Sequence, residues 1–281
     1  MGMLDLFKKK TNSKSITEKA NTLKERNIES SVKKTQPKPV EVDSKIVAEG
    51  LKKYEEYKEY LSEYENNGTW IQLRAQGWTK LVHEILDNKI AEDFQLKPIK
   101  ERCWASEYEE GRRKVISLFL VNDMYATIKW GWNFEYIPRV SENKVAWVRT
   151  DKTIYTHTFR LSEEFYKSKL GDERKSVLGR DIIRKPEEFY KLIEGIKETY
   201  DFVRNDIKMY YEKTSTYEGM LSELKDICDN GYYNFLHYEN KLVYIGVEKY
   251  MGKIDKAKED LENVVFRDEK QKQEFKKKIG L

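Results

Sequence analysis

Cysteine and long apolar runs are scarce in this chain of 281 residues. Its two cysteines, Cys103 and Cys228, form no Cys-x-x-Cys motif, so the sequence contains neither a disulfide framework nor a cysteine zinc motif. Apolar stretches such as Leu118 to Val121 are far shorter than the ~20 residues that span a bilayer. These absences predict a soluble, cytoplasmic protein without stable membrane insertion.

Motifs for phosphate binding and catalysis are also missing. The chain has neither Gly-x-x-x-x-Gly-Lys-Ser/Thr nor Gly-x-Gly-x-x-Gly, the loops that hold nucleotide phosphates. Its three histidines, His83, His157 and His237, lack a second histidine or cysteine at ligand spacing, so no metal site is predicted. A lone His157 cannot supply both an acid and a base, and we interpret it as a core residue. The sequence therefore predicts a non-enzymatic protein without a metal or cofactor.

Positive charge is concentrated at the start of the chain. The whole sequence has a net charge of +4, but residues 1–45 alone contain eleven Lys or Arg against six acids. Their composition is too polar to bury a core, so residues 1–44 are predicted to be a basic disordered arm. Leu4, Leu6 and Phe7 precede a run of lysines there, and this short apolar segment is a candidate for docking on a partner protein.

Helical periodicity dominates the next segment. Val47, Tyr54, Tyr57 and Leu61 lie on one helical face, which predicts a helix from about residue 45 to 66. Thr69 and Gln72 have capping-box spacing, which predicts a second helix to about residue 88. The two helices form the predicted N-terminal pair.

From residue 98 onward the apolar period changes from 3.6 to 2. Alternate positions from Met124 to Tyr136 are apolar, the pattern of a long strand with one buried face. Further strands are predicted near 99–106, 115–121, 144–150 and 153–161, followed by a connector over 167–183. Together these segments predict an antiparallel meander of about five strands, packed on helices within a domain that extends over 45–183.

All six tryptophans lie between Trp70 and Trp147. They are either core residues or a platform that stacks nucleobases. Trp130 and Trp132 share the apolar face of one predicted strand, which favours the core. In the platform alternative, four basic residues bind phosphates: Arg112, Arg113, Lys129 and Arg149.

Heptad spacing returns in the C-terminal part. Apolar residues step by three and four from Phe189 to Tyr210 and again from Val243 to Val264. These two seams predict a helical hairpin or bundle over 184–266, with a short helix between them that starts at the capping-box sequence Ser215 to Glu218. Residues 267–281 are predicted to be a basic polar tail.

The fold class expected from these patterns is α+β. The function expected is that of an accessory or scaffold subunit in a bacterial or phage-encoded complex, which contacts another protein. The predicted contact residues on the helices are Tyr200, Tyr210 and Tyr250, because a tyrosine ring can lie half exposed in a heptad seam. The alternative is a protein that binds or processes nucleic acid, through the basic tails and the tryptophan-rich sheet.

Overall fold

A computed structural model describes residues 43–65, 69–100, 102–120, 126–141, 144–147, 156–158, 160–167, 175–179, 183–230 and 237–281. All of them belong to one compact unit that extends from Val42 to Leu281. The predicted arm and its Leu4, Leu6 and Phe7 lie outside the described residues. The architecture is α+β as predicted, and one hydrophobic core contains residues from both predicted segments, 45–183 and 184–266.

The described helices and strands alternate in the first half of the chain, and helices fill the second half. The helices are α1 (Ser44–Tyr57), α2 (Ala75–Phe94), α3 (Glu163–Lys167), α4 (Tyr190–Lys213), α5 (Tyr217–Asn230), α6 (His237–Tyr250), α7 (Ile254–Glu262) and α8 (Glu269–Ile279). The strands are β1 (Leu61–Glu65), β2 (Thr69–Leu73), β3 (Lys97–Lys100), β4 (Cys103–Ala105), β5 (Arg112–Leu120), β6 (Ala126–Phe134), β7 (Arg139–Ser141), β8 (Lys144–Ala146) and β9 (Val177–Leu178). Short 3₁₀ turns occupy Lys58–Tyr60 and Pro186–Phe189.

Five antiparallel strands form the central sheet in the order β3-β4-β5-β6-β9, which confirms the predicted five-stranded antiparallel sheet. Strands β5 and β6 pair along their full length, with Arg112 opposite Phe134. The predicted membership is wrong at both edges. At one edge, the single strand predicted near 99–106 is two paired strands, β3 and β4. The fifth strand is β9, from the predicted connector, because this two-residue strand is too short to show a period in the sequence.

The described residues of the last two predicted meander strands do not belong to the central sheet. Strand β8 pairs with β7 in a separate hairpin instead of joining the central sheet. The described residues of 153–161 contribute a single bridge, between Arg160 and Trp130. The Trp132 amide donates to the Thr158 hydroxyl, and the His157 and Thr158 amides donate to the Trp132 carbonyl, which holds this irregular segment along β6.

Strand β6 is buried on both faces. Its apolar side includes Trp130 and Trp132, which are 3% and 5% exposed, so the core interpretation of these tryptophans is confirmed. On the polar side, the Thr127 hydroxyl donates to the Ser176 carbonyl at 2.7 Å, and Asn133 bonds with Tyr108. Because local segments satisfy these polar groups, this side is not an open ligand-binding face.

The predicted N-terminal helical pair is correct for two helices but wrong at their junction. Helix α1 ends at Tyr57, and the chain continues as a 3₁₀ turn and strand β1. Strand β1 pairs with β2, placing Leu61 opposite Leu73, so Thr69 to Gln72 form a strand and not a capping box. In the sequence, Asn67-Gly68 is a dipeptide typical of hairpin turns. The helical periodicity of the preceding residues led instead to the prediction of two helices.

The two heptad seams do not pack on each other. Helix α4 follows the 3₁₀ turn at Pro186, and its seam packs on α1, α2 and β6, where Val203 and Ile207 are fully buried. Helix α6 instead packs mainly on α5 and α7. Gly252, at a φ of +79°, lies in the turn between α6 and α7 and divides the second seam into two helices.

The predicted polar tail is wrong. Residues 269–279 form α8, in which the Asp268 carboxylate caps the first turn by accepting from the Gln271 amide at 2.8 Å. Phe275 and Ile279 are buried in a second core with Val140 and Val145. These two apolar residues in a lysine-rich segment are too few to predict an amphipathic helix from the sequence. Within the described ranges, no helix combines the length and the apolar character needed to cross a membrane.

Candidate partner-binding site

Three tyrosine rings from separate segments meet at the end of α6. The rings of Tyr136 and Tyr250 are stacked, with centroids 4.1 Å apart and an interplanar angle of 13°. Tyr217 lies next to Tyr250 at a centroid distance of 5.0 Å. Tyr250 remains 45% exposed, so the cluster presents an aromatic surface to solvent. Of the three tyrosines predicted to contact a partner, it alone has this exposure.

Local structure at two turns positions these rings. Tyr136 lies in the turn after β6. Gly111, in the turn before β5, has a φ of +76°, and a Cβ at that glycine would lie 2.8 Å from the Tyr136 ring. Tyr217 is the first residue of α5, which is capped by the Thr216 hydroxyl accepting from the Gly219 amide at 3.1 Å. The predicted capping box is therefore at the right place, but Thr216 caps the helix instead of Ser215.

Arg112 packs against the tyrosine cluster on its buried side. Its guanidinium lies between the rings of Trp132 and Tyr217, at 4.7 Å and 4.3 Å from their centroids. It also donates hydrogen bonds to the carbonyl oxygens of Thr214 and Ser215. Because Arg112 is only 6% exposed, it acts as a link between β5 and the α4–α5 connection and not as an accessible phosphate ligand.

A surface pocket of about 570 Å³ opens beside these residues. Its lining consists of Glu110, Arg112, Ser215, Thr216, Tyr217, Glu218, Tyr250 and Met251. Glu110 and Glu218 are exposed, and neither forms an ion pair in the part of the chain that the structure describes. The Arg112 guanidinium (+1) and the two carboxylates (−1 each) give the charged groups of the lining a net charge of −1.

The hydroxyls of Tyr136 and Tyr217 are neutral at physiological pH. Burial raises the pKa of Tyr217 to about 12, and burial raises the pKa of Tyr136 still further above its usual range. The Tyr217 hydroxyl donates to the Glu110 carbonyl. These groups can therefore offer aromatic surface and hydrogen bonds to a ligand, but no phenolate.

The other two predicted contact tyrosines are buried inside the chain. Tyr200 is fully buried, and its hydroxyl donates to the Asp93 carboxylate at 2.6 Å. Tyr210 is 7% exposed, and its hydroxyl lies 3.0 Å from that of Thr158. The expectation that both rings lie half exposed is wrong, because α2 and the sheet cover the α4 seam.

The basic residues of the nucleic-acid alternative do not form one surface. Arg113 is 3% exposed and lies over the Tyr108 ring. Lys129 is half buried, with its ammonium 5.6 Å from the centroid of Phe119. Arg149 lies outside the described residues. Arg112 is buried as well, so the three described residues of the four do not form an exposed phosphate-binding patch.

His157 is a core residue, as the sequence analysis expected. Its Nε2 lies 2.7 Å from the Ile137 carbonyl, and its Nδ1 accepts from the Phe134 amide at 3.0 Å. Burial lowers its pKa to about 4, so the ring is neutral. Across the described ranges, no group of three or more His, Cys, Asp or Glu side chains is arranged to hold a metal ion.

Sequence reasoning missed most of this site. Glu110, Tyr136, Tyr217 and Met251 come from segments with no common motif, and Tyr217 was noticed only as part of a capping box. The one linear signal was Tyr250, a tyrosine at the end of a heptad seam. Comparison of the chain with known protein families, curated proteins and solved structures gives no match.

Proposed function

We propose that this protein is a non-enzymatic interaction protein, which binds a basic segment of a partner protein in the pocket around Tyr250. In this proposal it serves as an accessory or scaffold subunit of a cytoplasmic complex that a bacterium or a phage encodes. The observation that carries the proposal is the exposed Tyr250 ring beside Glu110 and Glu218, two carboxylates without an ion pair in the described chain.

The charge of the pocket favours a cationic side chain as its occupant. A lysine or arginine of the partner can reach the Glu110 and Glu218 carboxylates while its aliphatic part contacts Met251. The face of a tyrosine ring adds a cation–π attraction of about 0.5–2 kcal/mol. An anionic ligand would meet repulsion from the same two carboxylates.

The rigidity of the pocket also supports a binding role. Tyr250 is held against Tyr136, and Tyr217 is held by Arg112 and by its bond to the Glu110 carbonyl. A ring that is fixed before binding loses little conformational entropy in the complex. Tyrosine and arginine are also the residues that most often dominate protein interfaces.

Selection from a random peptide library on the immobilised full chain tests the proposal. We expect the selected peptides to be rich in Lys or Arg next to apolar residues. Tyr250→Ala should abolish their binding, and the double substitution Glu110→Gln with Glu218→Gln should weaken it about tenfold. Val265→Ala and Glu187→Gln, which change exposed residues outside the pocket, are the matched controls.

Two results contradict the proposal. One is a selection that yields no peptides, or peptides that bind Tyr250→Ala as well as the unchanged chain. The other is tight binding of single-stranded DNA that falls steeply with salt and is unaffected by Tyr250→Ala, which would favour the nucleic-acid alternative.

A further inference from the structure

A second pocket lies between α5, α6 and α7, lined by none of the residues that line the pocket around Tyr250. Its volume is about 360 Å³, within the range of small-molecule sites. Residues of all three helices line it: Lys225, Lys241, Tyr244, Ile245, Lys256, Asp260, Asn263 and Val264. Three lysines thus line one cavity, and Ile245 and Val264 provide its apolar part. We call it the lysine cavity.

Two of the three lysines carry charge that the described chain does not compensate. Lys225 on α5 is exposed and Lys241 on α6 is half buried, and neither forms an ion pair with any described residue. A surface lysine without a partner is common, but two such side chains that line the same cavity from different helices create a local positive potential.

The third lysine is fixed in place by bonds within the protein. The Lys256 ammonium lies 2.8 Å from the Glu248 carboxylate and donates to the Tyr244 hydroxyl at 3.0 Å. Glu248 is fully buried, and burial together with the neighbouring Asp260 carboxyl group raises its pKa, whereas the Lys256 ammonium opposes that rise. An ammonium has three donors, which leaves one beyond these two contacts.

Asp260 places a carboxylate among these lysines and limits the chemical class of the ligand. A bare phosphate ion or a DNA backbone would meet its negative charge and has no alcohol hydroxyl that donates to it. A hydroxyl group would instead donate a hydrogen bond to Asp260. The lining therefore favours a ligand with a dianionic group for Lys225 and Lys241 and with hydroxyl groups for Asp260.

We propose that the lysine cavity binds a small hydroxylated phosphate monoester, that is, a sugar phosphate or polyol phosphate. Its phosphate contacts Lys225, Lys241 and the remaining donor of Lys256, and its hydroxyl groups contact Asp260 and Asn263. The carbon skeleton lies against Ile245 and Val264. The size of the cavity limits the ligand to a small molecule.

Isothermal titration calorimetry of the full chain with glucose 6-phosphate tests this proposal, with glucose and inorganic phosphate as the partial ligands. We expect glucose 6-phosphate to bind at least tenfold more tightly than either one, because only it contacts both parts of the cavity. Lys225→Gln and Lys241→Gln should each weaken binding about tenfold, as each removes a charge-assisted contact. Lys258→Gln, at an exposed α7 position outside the cavity lining, is the matched control and should have no effect.

Folding of each variant is checked by circular dichroism, and the two lysines chosen make no bond that stabilises the described fold. Absence of glucose 6-phosphate binding at millimolar concentration would overturn the proposal, and so would equal binding by the Lys225→Gln and Lys241→Gln variants. Inorganic phosphate that binds as tightly as the ester would overturn the assigned ligand class. Single-stranded DNA that binds through the same two lysines would also overturn it.

Discussion

The ring of Tyr250 lies parallel to that of Tyr136, with their centroids 4.1 Å apart, although the residues are on different elements more than a hundred positions apart. Tyr136 belongs to the turn after β6, and Tyr250 is the last residue of α6. This contact fixes an aromatic surface at the place where the sheet meets the C-terminal helices. The proposed partner pocket depends on it.

Tyr250 and Tyr200 both lie in heptad seams but should respond differently to substitution. Tyr200→Ala removes a fully buried ring and should lower the free energy of unfolding by about 3–5 kcal/mol. Tyr250→Ala removes a ring that is 45% exposed and should cost about 1–2 kcal/mol. Urea denaturation of both variants measures the difference. Equal losses would mean that the Tyr250 ring is part of the core.

Trp132 links the sheet to the α4–α5 connection. Its ring is 5% exposed and its Nε1 donates to the Thr214 hydroxyl at 2.8 Å. Trp132→Ala should therefore lower the free energy of unfolding by about 3–5 kcal/mol. Chemical denaturation measures the loss, and Val265→Ala, at a position 83% exposed, is a control expected to change it by less than about 0.5 kcal/mol. A fully stable Trp132→Ala variant would refute the core role.

The cap of α5 can be assigned by a pair of alanine substitutions at adjacent positions. Thr216→Ala should cost about 1 kcal/mol, because the Thr216 hydroxyl accepts from the Gly219 amide. Ser215→Ala should leave stability almost unchanged, since Ser215 uses its carbonyl and not its side chain to bond Arg112. Thermal unfolding of the two variants distinguishes them, and a larger loss for Ser215→Ala would place the cap at Ser215.

Arg112→Lys tests whether this arginine is structural. Lysine keeps the charge but lacks the planar group that lies between Trp132 and Tyr217, so we expect a loss of about 1–3 kcal/mol in unfolding free energy. Arg204→Lys, at a side chain that is 49% exposed, is the control and should change stability little. Filter binding of single-stranded DNA should be the same for both variants. A selective loss of DNA binding in Arg112→Lys would contradict its structural role.

His157 should make the stability depend on pH in a defined window. Its pKa is about 4 in the fold, compared with about 6.5 in an unfolded chain. Between these values the unfolded chain binds a proton that the folded chain does not, so stability falls as the pH drops from about 6.5 to 4. The expected loss in unfolding free energy from His157 is roughly 3 kcal/mol. Below about pH 4 both states bind the proton, and the loss increases no further.

Urea denaturation of the full chain at several pH values measures this effect. Carboxyl groups titrate in part of the same window, so the comparison is with His157→Gln, which should be less stable at neutral pH. The slope of stability against pH should be smaller in that variant by about one proton between pH 5 and 6. An unchanged slope would show that His157 is protonated in the folded protein.

Regular periodicity was sufficient to predict the main elements. The two-residue period around Trp130 and Trp132 predicted strand β6 and the burial of its apolar side, because alternate side chains must point to the same face. The three- and four-residue steps around Val203 predicted α4. The absence of catalytic motifs and of long apolar runs favoured a non-enzymatic interaction protein. That function stays a proposal.

What only the tertiary structure decided is which surface covers each predicted face. Tyr200 and Tyr250 have the same kind of sequence signal, yet α2 and the sheet cover the seam that contains the first, while the second ends a helix beside an open pocket. Periodicity specifies the direction of a side chain relative to its own helix or strand, and exposure depends on neighbours that are distant in sequence. For the same reason β9 and the residues around Tyr250 had no combined signal in the chain, since each segment contributes one or a few residues and the fold alone brings them together.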